Sequence, residues 1–298
     1  MRVFLTGATG FIGSRIIPEL LAAGHEVIGL TRSDAGEQAV ADAGAQPHRG
    51  SLEDSACVAA GAREADAVIH TAFDHDFSRY EANCEQDRRV IAAIGAELAG
   101  SERPLLITSA VMMGALEDGG PAIENLFTVR SHPRSSSELA SEALLDRGVN
   151  VSVVRLPQVH DTVKQGLITP YVELARDTGF AAYVGAGDNR WSAAHVTDVA
   201  RLYLLALDRA ERGARYHAVA EEGVAFRDIA ACVAAGLGLP AVSLSPEEAA
   251  VHLGWFALFA SEDMAASSAR TRDMLGWNPQ GPGLLQDLAA MDYAACAA

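Results

Sequence analysis

A glycine-rich segment near the N-terminus constrains this chain more than any other feature. Gly7, Gly10 and Gly13 are spaced GxxGxxG, between the apolar run Arg2 to Thr6 and a helical pattern from Phe11 to Ala23. Gly7 permits a tight turn, Gly10 lets the backbone approach a diphosphate, and Gly13 lets the helix pack closely on the strand. This order of strand, loop and helix predicts a nucleotide-binding loop, with a generic glycine-rich turn as the alternative.

The start of the predicted helix is suited to hold phosphates. Backbone amides there lack partners within the helix, and the helix dipole favours an anion. We expect the amides of Phe11 and Ile12 to point at a diphosphate. The predicted cofactor contacts in this segment are Gly7, Thr9, Gly10, Phe11, Ile12 and Gly13.

Strand-like and helix-like segments alternate along the first half of the chain. Continuous apolar runs, such as Ala67 to Thr71 and Val151 to Leu156, are typical of parallel strands that helices cover on both faces. The alternation predicts an α/β fold, a Rossmann-type doubly wound parallel sheet of six or seven strands.

The alternation stops after Leu156, where short segments and glycines follow. We therefore assign residues 1–160 to a dinucleotide-binding Rossmann core. Residues 161–298 are expected to form mainly a smaller C-terminal substrate-binding part, with a segment at about 190–220 returning to the core.

Composition excludes several classes of partner. The formal net charge of −16 repels nucleic acid and anionic lipid, so neither is an expected partner. No apolar run is long enough for a membrane span. Cys57, Cys84, Cys232 and Cys296 show no metal-ligand spacing, so we expect reduced thiols, no metal and a cytoplasmic location.

The end of the second predicted strand bears on cofactor choice. An enzyme that uses NAD commonly has an acid there to bind the ribose 2′-hydroxyl. Here Arg32 follows the strand, and a guanidinium can pair with a 2′-phosphate. The sequence favours NADP, with NAD as the alternative and Arg15 as a possible second contact; otherwise Arg32 is a solvated loop residue.

Together these segments resemble the extended and atypical branch of the short-chain dehydrogenase/reductase superfamily, the NAD-dependent epimerase/dehydratase-like proteins. The TGATGFIG opening carries the resemblance most strongly. The other matching segments are Gly50–Asp54, Val68–Ala72, Leu106–Ala110, Val154–His160, Ala194–Ala200 and Leu275–Pro279. The resemblance implies further cofactor contacts at Ser51, Leu52, Thr71, Ala72, Thr108, Pro157 and Val159, and a catalytic serine at Ser109.

One departure from that family changes the expected chemistry. Its signature Tyr-x-x-x-Lys, which supplies the proton and binds the nicotinamide ribose, aligns with Arg134 and Glu138. Residues four apart share a helix face, so Glu138 could accept hydrogen bonds from the ribose. Arg134 could hold an anionic substrate or polarise a carbonyl beside Ser109, but it stays protonated. The alternative is an exposed ion pair between Arg134 and Glu138.

The proton source is consequently open. His132 titrates near neutrality and precedes Arg134, so it is one candidate, and bound water is the other.

His195 is expected to form a local hydrogen bond at a helix start. Phe73 to Phe77 is expected to line the cleft or form a solvated loop, with a metal site less favoured. The aromatic stretch Leu253 to Phe259 is core, pocket wall or subunit contact.

These observations predict an NADP-dependent oxidoreductase that moves a hydride between nicotinamide and a small carbonyl or alcohol, with Ser109 polarising the oxygen. Two alternatives remain open. One is an epimerase- or dehydratase-type lyase, and the other is a non-catalytic regulator that senses NADP. The resemblance also implies a possible homodimer through two long helices.

Overall fold

The structure, a computed structural model, describes residues 1–129 and 131–294. The strands in chain order are β1 (Arg2–Thr6), β2 (Glu26–Thr31), β3 (Gln46–Arg49), β4 (Ala67–His70), β5 (Leu105–Ala110), β6 (Val151–Leu156), β7 (Gln158–His160), β8 (Ala181–Val184), β9 (Arg190–His195), β10 (Arg215–His217), β11 (Glu221–Ala225) and β12 (Ala241–Leu244). The helices are α1 (Gly13–Ala22), α2 (Asp34–Asp42), α3 (Ser55–Arg63), α4 (Tyr80–Leu98), α5 (Ser136–Asp146), α6 (Ile168–Thr178), α7 (Val196–Arg209), α8 (Phe226–Leu237), α9 (Pro246–His252), α10 (Ala257–Ala260), α11 (Ala269–Leu275) and α12 (Leu284–Ala290).

Seven of the strands form one parallel sheet, in the order β10-β6-β5-β4-β1-β2-β3. The strand order reverses beside β1, because β2 and β3 extend the sheet on one side and β4 to β6 extend it on the other. Such a reversal opens a crevice beyond the carboxyl ends of the strands, where ligands bind. The predicted doubly wound Rossmann-type sheet is confirmed.

Helices cover both faces of this sheet. On β5, Leu106 packs into a core shared with α1 and α7, whereas Ile107 packs into a core shared with α4 and α5. Neighbouring side chains on one strand therefore enter opposite layers. This explains why inner strands such as β1 and β4 are largely apolar along their length.

The chain after β6 builds a second, smaller unit. β7, β9 and β11 form a three-stranded sheet, and β8 pairs with β12. These strands and α6, α8 and α12 enclose a core that contains Tyr171, Trp191, Phe226 and Phe256. Within the segment at about 190–220, α7 packs against α1 and β10 joins the main sheet, whereas β9 belongs to the three-stranded sheet.

Two further observations concern the environment of the chain. Among the described residues, no helix combines the length and apolarity that a membrane span requires. Cys57, Cys84 and Cys232 are free thiols, and Cys296 lies outside the described residues.

Candidate active site

The glycine loop lies at the carboxyl end of β1, next to the reversal in strand order. Gly7 adopts φ +72°, and a Cβ there would lie 2.7 Å from Thr71 Oγ1 and 2.9 Å from the Ala72 nitrogen. A Cβ on Gly13 would collide with the carbonyl oxygen of Gly7. The tight turn and the close helix packing therefore both require glycine.

The first turn of α1 is open to an anion. Its N-cap residue, Ile12, makes no side-chain capping hydrogen bond, and Thr9 and Gly10 are exposed on the loop. The amide of Gly10 donates to the Gly7 carbonyl at 2.8 Å, which closes the turn. An uncapped helix start with this geometry suits a dinucleotide diphosphate.

The predicted binding site for the adenosine part of the cofactor lies beyond the ends of β2 and β3. Arg32 is exposed after β2, whereas Arg49 at the end of β3 is paired with Asp34 at 2.7 Å. Arg15 does not join Arg32, because it faces Asp161 at 3.4 Å. Ser51 donates to Glu53 at 2.7 Å, and the Leu52 carbonyl accepts a hydrogen bond from Gln86.

The predicted contacts on β4, β5 and the segment after β6 differ in exposure. Thr71 is half-buried, and its hydroxyl donates to the Thr6 carbonyl at 2.8 Å. Thr108 is buried, and its hydroxyl donates to the His70 carbonyl at 2.7 Å. Ala72 and Pro157 are half-buried, whereas the Val159 side chain belongs to the core. Val159 can therefore reach a cofactor only through its backbone.

Ser109 is the clearest candidate for contact with a reacting group. It lies near the carboxyl end of β5, and only 2% of its surface is exposed. Within the described part of the chain, its hydroxyl has no hydrogen-bond partner. A buried hydroxyl without a partner is unfavourable, so a ligand is expected to supply one.

Arg134 lies in a 3-10 turn, Pro133–Ser135, just before α5. Its guanidinium pairs with Asp87 at 2.9 Å, donates to the Thr108 carbonyl at 3.0 Å, and lies 4.3 Å from the centre of the Phe73 ring. These contacts hold a nearly buried positive charge beside the strand that carries Ser109.

Sequence reasoning missed the residues that hold Arg134. His70, at the end of β4, contacts Asp87 through Nε2 at 2.9 Å and Thr6 Oγ1 through Nδ1 at 2.7 Å. Burial alone would raise the pKa of Asp87, but the charge of Arg134 and the hydrogen bond with His70 outweigh it and lower that pKa to about 2. The available signal was a carboxylate on the apolar face of α4, three residues from Val90.

The structure contradicts both predictions for Glu138. Its side chain has no accessible surface and pairs with Arg155 on β6 at 2.7 Å and with Arg215 on β10 at 2.9 Å. It therefore forms no exposed ion pair with Arg134, and its carboxylate faces the sheet instead of a ribose. The reason is geometric: Arg134 precedes α5 in a 3-10 turn, so helical spacing does not relate the two side chains.

The candidate proton donor His132 has a local structural role. Its Nδ1 accepts a hydrogen bond from the Arg134 backbone amide at 3.1 Å, so a neutral ring carries its proton on Nε2. Burial and the charge of Arg134 lower the pKa of His132, which keeps the ring neutral at pH 7. His195 caps α7 by accepting from the Thr197 amide, as expected.

The two aromatic segments noted in the sequence meet in space. Phe77 stacks on Trp255 with ring centres 4.6 Å apart and contacts Phe259 at 5.8 Å. Phe256 between them is core, with 1% of its surface exposed. One face of the Leu253–Phe259 stretch thus belongs to the small core and the other to an aromatic wall next to Phe73. No group of described residues is arranged to hold a metal ion.

Comparison with known proteins agrees with this geometry. The sequence model of the NAD dependent epimerase/dehydratase family matches residues 3–220. Uncharacterized protein C2A9.02 of Schizosaccharomyces pombe is 42% identical over 98% of this chain and 100% of its own length. Uncharacterized protein YLL056C of Saccharomyces cerevisiae is 37% identical over 97% of this chain and 98% of its own.

Solved structures show the same fold at low sequence identity. A dTDP-glucose 4,6-dehydratase from Streptomyces venezuelae with NAD bound gives a TM-score of 0.76 at 20% identity, covering 98% of this chain and 95% of that one. A UDP-glucose 4-epimerase from Thermus thermophilus in complex with NAD gives a TM-score of 0.73 at 22% identity, and the match covers 99% of each chain. The chain belongs to the NAD dependent epimerase/dehydratase family, whose members bind NAD(P).

Proposed function

We propose that the protein is an NADP-dependent oxidoreductase that reduces a small carbonyl, or oxidises the corresponding alcohol. The observation that carries this proposal is the buried hydroxyl of Ser109 at the carboxyl edge of the sheet, which has no hydrogen-bond partner among the described residues. Two relatives with named activities support carbonyl chemistry. A ketoreductase of Stigmatella aurantiaca is 27% identical over 87% of this chain and 82% of its own length. A 2-alkyl-3-oxoalkanoate reductase of Stenotrophomonas maltophilia is 26% identical over 81% of this chain and 77% of its own length.

The residues at the glycine loop fit a dinucleotide. The collision that a Cβ on Gly7 would make shows that the turn leaves room for backbone only, and the uncapped start of α1 offers amides to phosphate oxygens. When bound, NADPH supplies the hydride for a carbonyl, which also takes up one proton to become an alcohol. Arg32 favours NADP over NAD, because it is exposed and has no ion-pair partner among the described residues.

Ser109 and Arg134 act on the substrate oxygen in different ways. The Ser109 hydroxyl donates a hydrogen bond to the carbonyl oxygen, where negative charge develops. Arg134 stabilises that charge electrostatically. It does not release a proton, because a guanidinium stays protonated in proteins. Its pairing with Asp87 fixes its position before substrate arrives.

The proton reaches the product alkoxide from water in this proposal. The lowered pKa of His132 leaves its imidazole neutral at pH 7, and a neutral imidazole is a poor acid. The alkoxide is instead protonated from bulk solvent through a water molecule, which regains a proton from solvent as it gives one up, so that no hydroxide is left in the site. The three described cysteines are free thiols, which suits a reducing compartment such as the cytoplasm.

A second candidate function is a non-catalytic sensor of NADP. The pairing of Arg134 with Asp87 favours it, because a guanidinium held by a carboxylate stands at the position that aligns with the family's proton-donating tyrosine, and it cannot donate that proton. The lyase alternative is weakened by the same replacement.

A panel of aldehydes and ketones, incubated with NADPH and followed by the loss of reduced-nicotinamide absorbance, separates the two remaining candidates. Turnover that Ser109→Ala reduces strongly, at unchanged NADPH affinity, supports the oxidoreductase. Tight NADPH binding without turnover on any substrate supports the sensor. Absence of binding to NADPH and NADH contradicts both.

A further inference from the structure

The chain contains a single lysine, Lys164, among its 23 basic residues. It lies in the segment between β7 and α6, on the side of the smaller unit. Its ammonium is 6.0 Å from the centre of the Phe11 ring, on the glycine loop. The only lysine of the chain is therefore next to the loop that receives the dinucleotide phosphates.

The backbone around Lys164 is held firmly in this position. The carboxylate of Asp161 accepts hydrogen bonds from the amides of Val163 and Lys164, each at 2.7 Å. The Asp161 amide donates to the Lys164 carbonyl at 2.9 Å. Arg15 on α1 also pairs with Asp161 at 3.4 Å. The segment is thereby tied to α1, whose N-terminus we propose to face the phosphates, while the Lys164 side chain itself is exposed.

The Lys164 ammonium differs from most other cations of the described residues, which form ion pairs. Arg15, Arg49 and Arg134 each pair with a carboxylate. Among the described residues, no carboxylate lies within ion-pair distance of Lys164. A protein with a net charge of −16 needs local positive charge to hold an anionic ligand, and here one such charge borders the phosphate loop.

We propose that Lys164 binds the diphosphate of the bound dinucleotide together with the amides of α1. The flexible four-carbon stem lets the ammonium move from the Phe11 ring onto phosphate oxygens. The smaller unit would thus contribute directly to cofactor affinity. This inference rests on the proposed dinucleotide binding and not on carbonyl reduction.

Because the lysine is unique, chemical labelling of the intact wild-type protein tests the proposal directly. The protein is treated with a limiting amount of an acetylating reagent, and peptide mass spectrometry quantifies modification of Lys164 relative to the α-amino group of Met1. At a ligand concentration about ten times Kd, we expect NADP+ and ADP-ribose to slow Lys164 modification about tenfold. Adenosine 2′,5′-bisphosphate has the 2′-phosphate but no diphosphate, so it should give no such protection.

If Lys164 is not protected, calorimetry on the same samples shows whether the dinucleotide bound without contacting Lys164 or did not bind at all. If NADP+ binds and Lys164 remains fully reactive, this inference is overturned while the proposed function stands. If no dinucleotide binds, both are overturned.

A pair of variants gives an independent measurement. Lys164→Met is expected to weaken NADP+ binding about fivefold, with a smaller effect at high salt, as for an exposed ion pair. Arg147→Met is the matched control, because Arg147 is an exposed cation just after the end of α5, away from the loop. Equal affinities for Lys164→Met and wild type would contradict the proposal.

Discussion

Replacing Asp87 by asparagine would remove the charge that holds Arg134 and leave the shape of the side chain unchanged. The guanidinium, 2.9 Å away and nearly buried, would then keep a positive charge without a counter-ion. Breaking a buried ion pair at one partner costs about 3 to 5 kcal/mol. We expect Asp87→Asn to lower the free energy of unfolding at pH 7 by about that amount.

The same substitution should change the dependence of stability on pH. Although burial opposes the shift, Arg134 and His70 lower the pKa of Asp87 from 3.8 to about 2. A carboxyl whose pKa is lower in the folded state stabilises that state above its unfolded-state pKa, and this contribution is lost as the pH falls from about 4 to about 2. The shift corresponds to about 2 kcal/mol. Wild type should lose about that much more stability than the variant across this range.

Urea denaturation followed by circular dichroism, at pH 7 and at steps down to about pH 2, measures both effects. Asp146→Asn is the matched control, because Asp146 is exposed at the end of α5; it should change stability by less than about 0.5 kcal/mol. If Asp87→Asn costs no more than this control, Arg134 does not depend on Asp87 and the reasoning fails.

Three further predictions concern the site. Ser109→Ala should reduce kcat about a hundredfold in any reductase assay, because it removes one donor to the substrate oxygen; a decrease in NADPH affinity alone would refute that role. Arg32→Ala should weaken NADPH binding about tenfold while leaving NADH binding nearly unchanged, as isothermal titration can show, and equal losses would exclude contact with the 2′-phosphate. Burial and Arg134 lower the pKa of His132 below its ordinary 6.5, so its ring resonances should titrate below that pH in an NMR experiment; a higher midpoint would restore His132 as the acid.

The fold could be predicted from the sequence because its signals are local and repeated. Each strand of the main sheet before β10 is a short run followed by a turn or a helix, and parallel order follows from the alternation. The segment at about 190–220 that adds a last strand to the main sheet was harder to delimit from the sequence. β10 covers only Arg215–His217, because its extent depends on pairing with β6 and not on its own residues.

The candidate site was predictable where it depends on backbone and not where it depends on side-chain direction. The glycines and Ser109 follow from their position at strand ends. The partners of Arg134 do not, because Asp87 lies 47 residues earlier in the chain, on another helix. Glu138 was misplaced for a related reason: a spacing of four residues says nothing about which neighbour a side chain faces when the helix begins between them.

The enclosure of Glu138 by Arg155 and Arg215 also limits how this scaffold can be redesigned. Installing the familiar catalytic pair through Arg134→Tyr and Glu138→Lys would leave three cations together in the interior, with the new ammonium facing guanidinium groups that now lie within 3 Å of a carboxylate. The same double change would deprive Asp87 of its cation. A designer seeking conventional proton transfer would therefore have to replace both arginines and Asp87 as well.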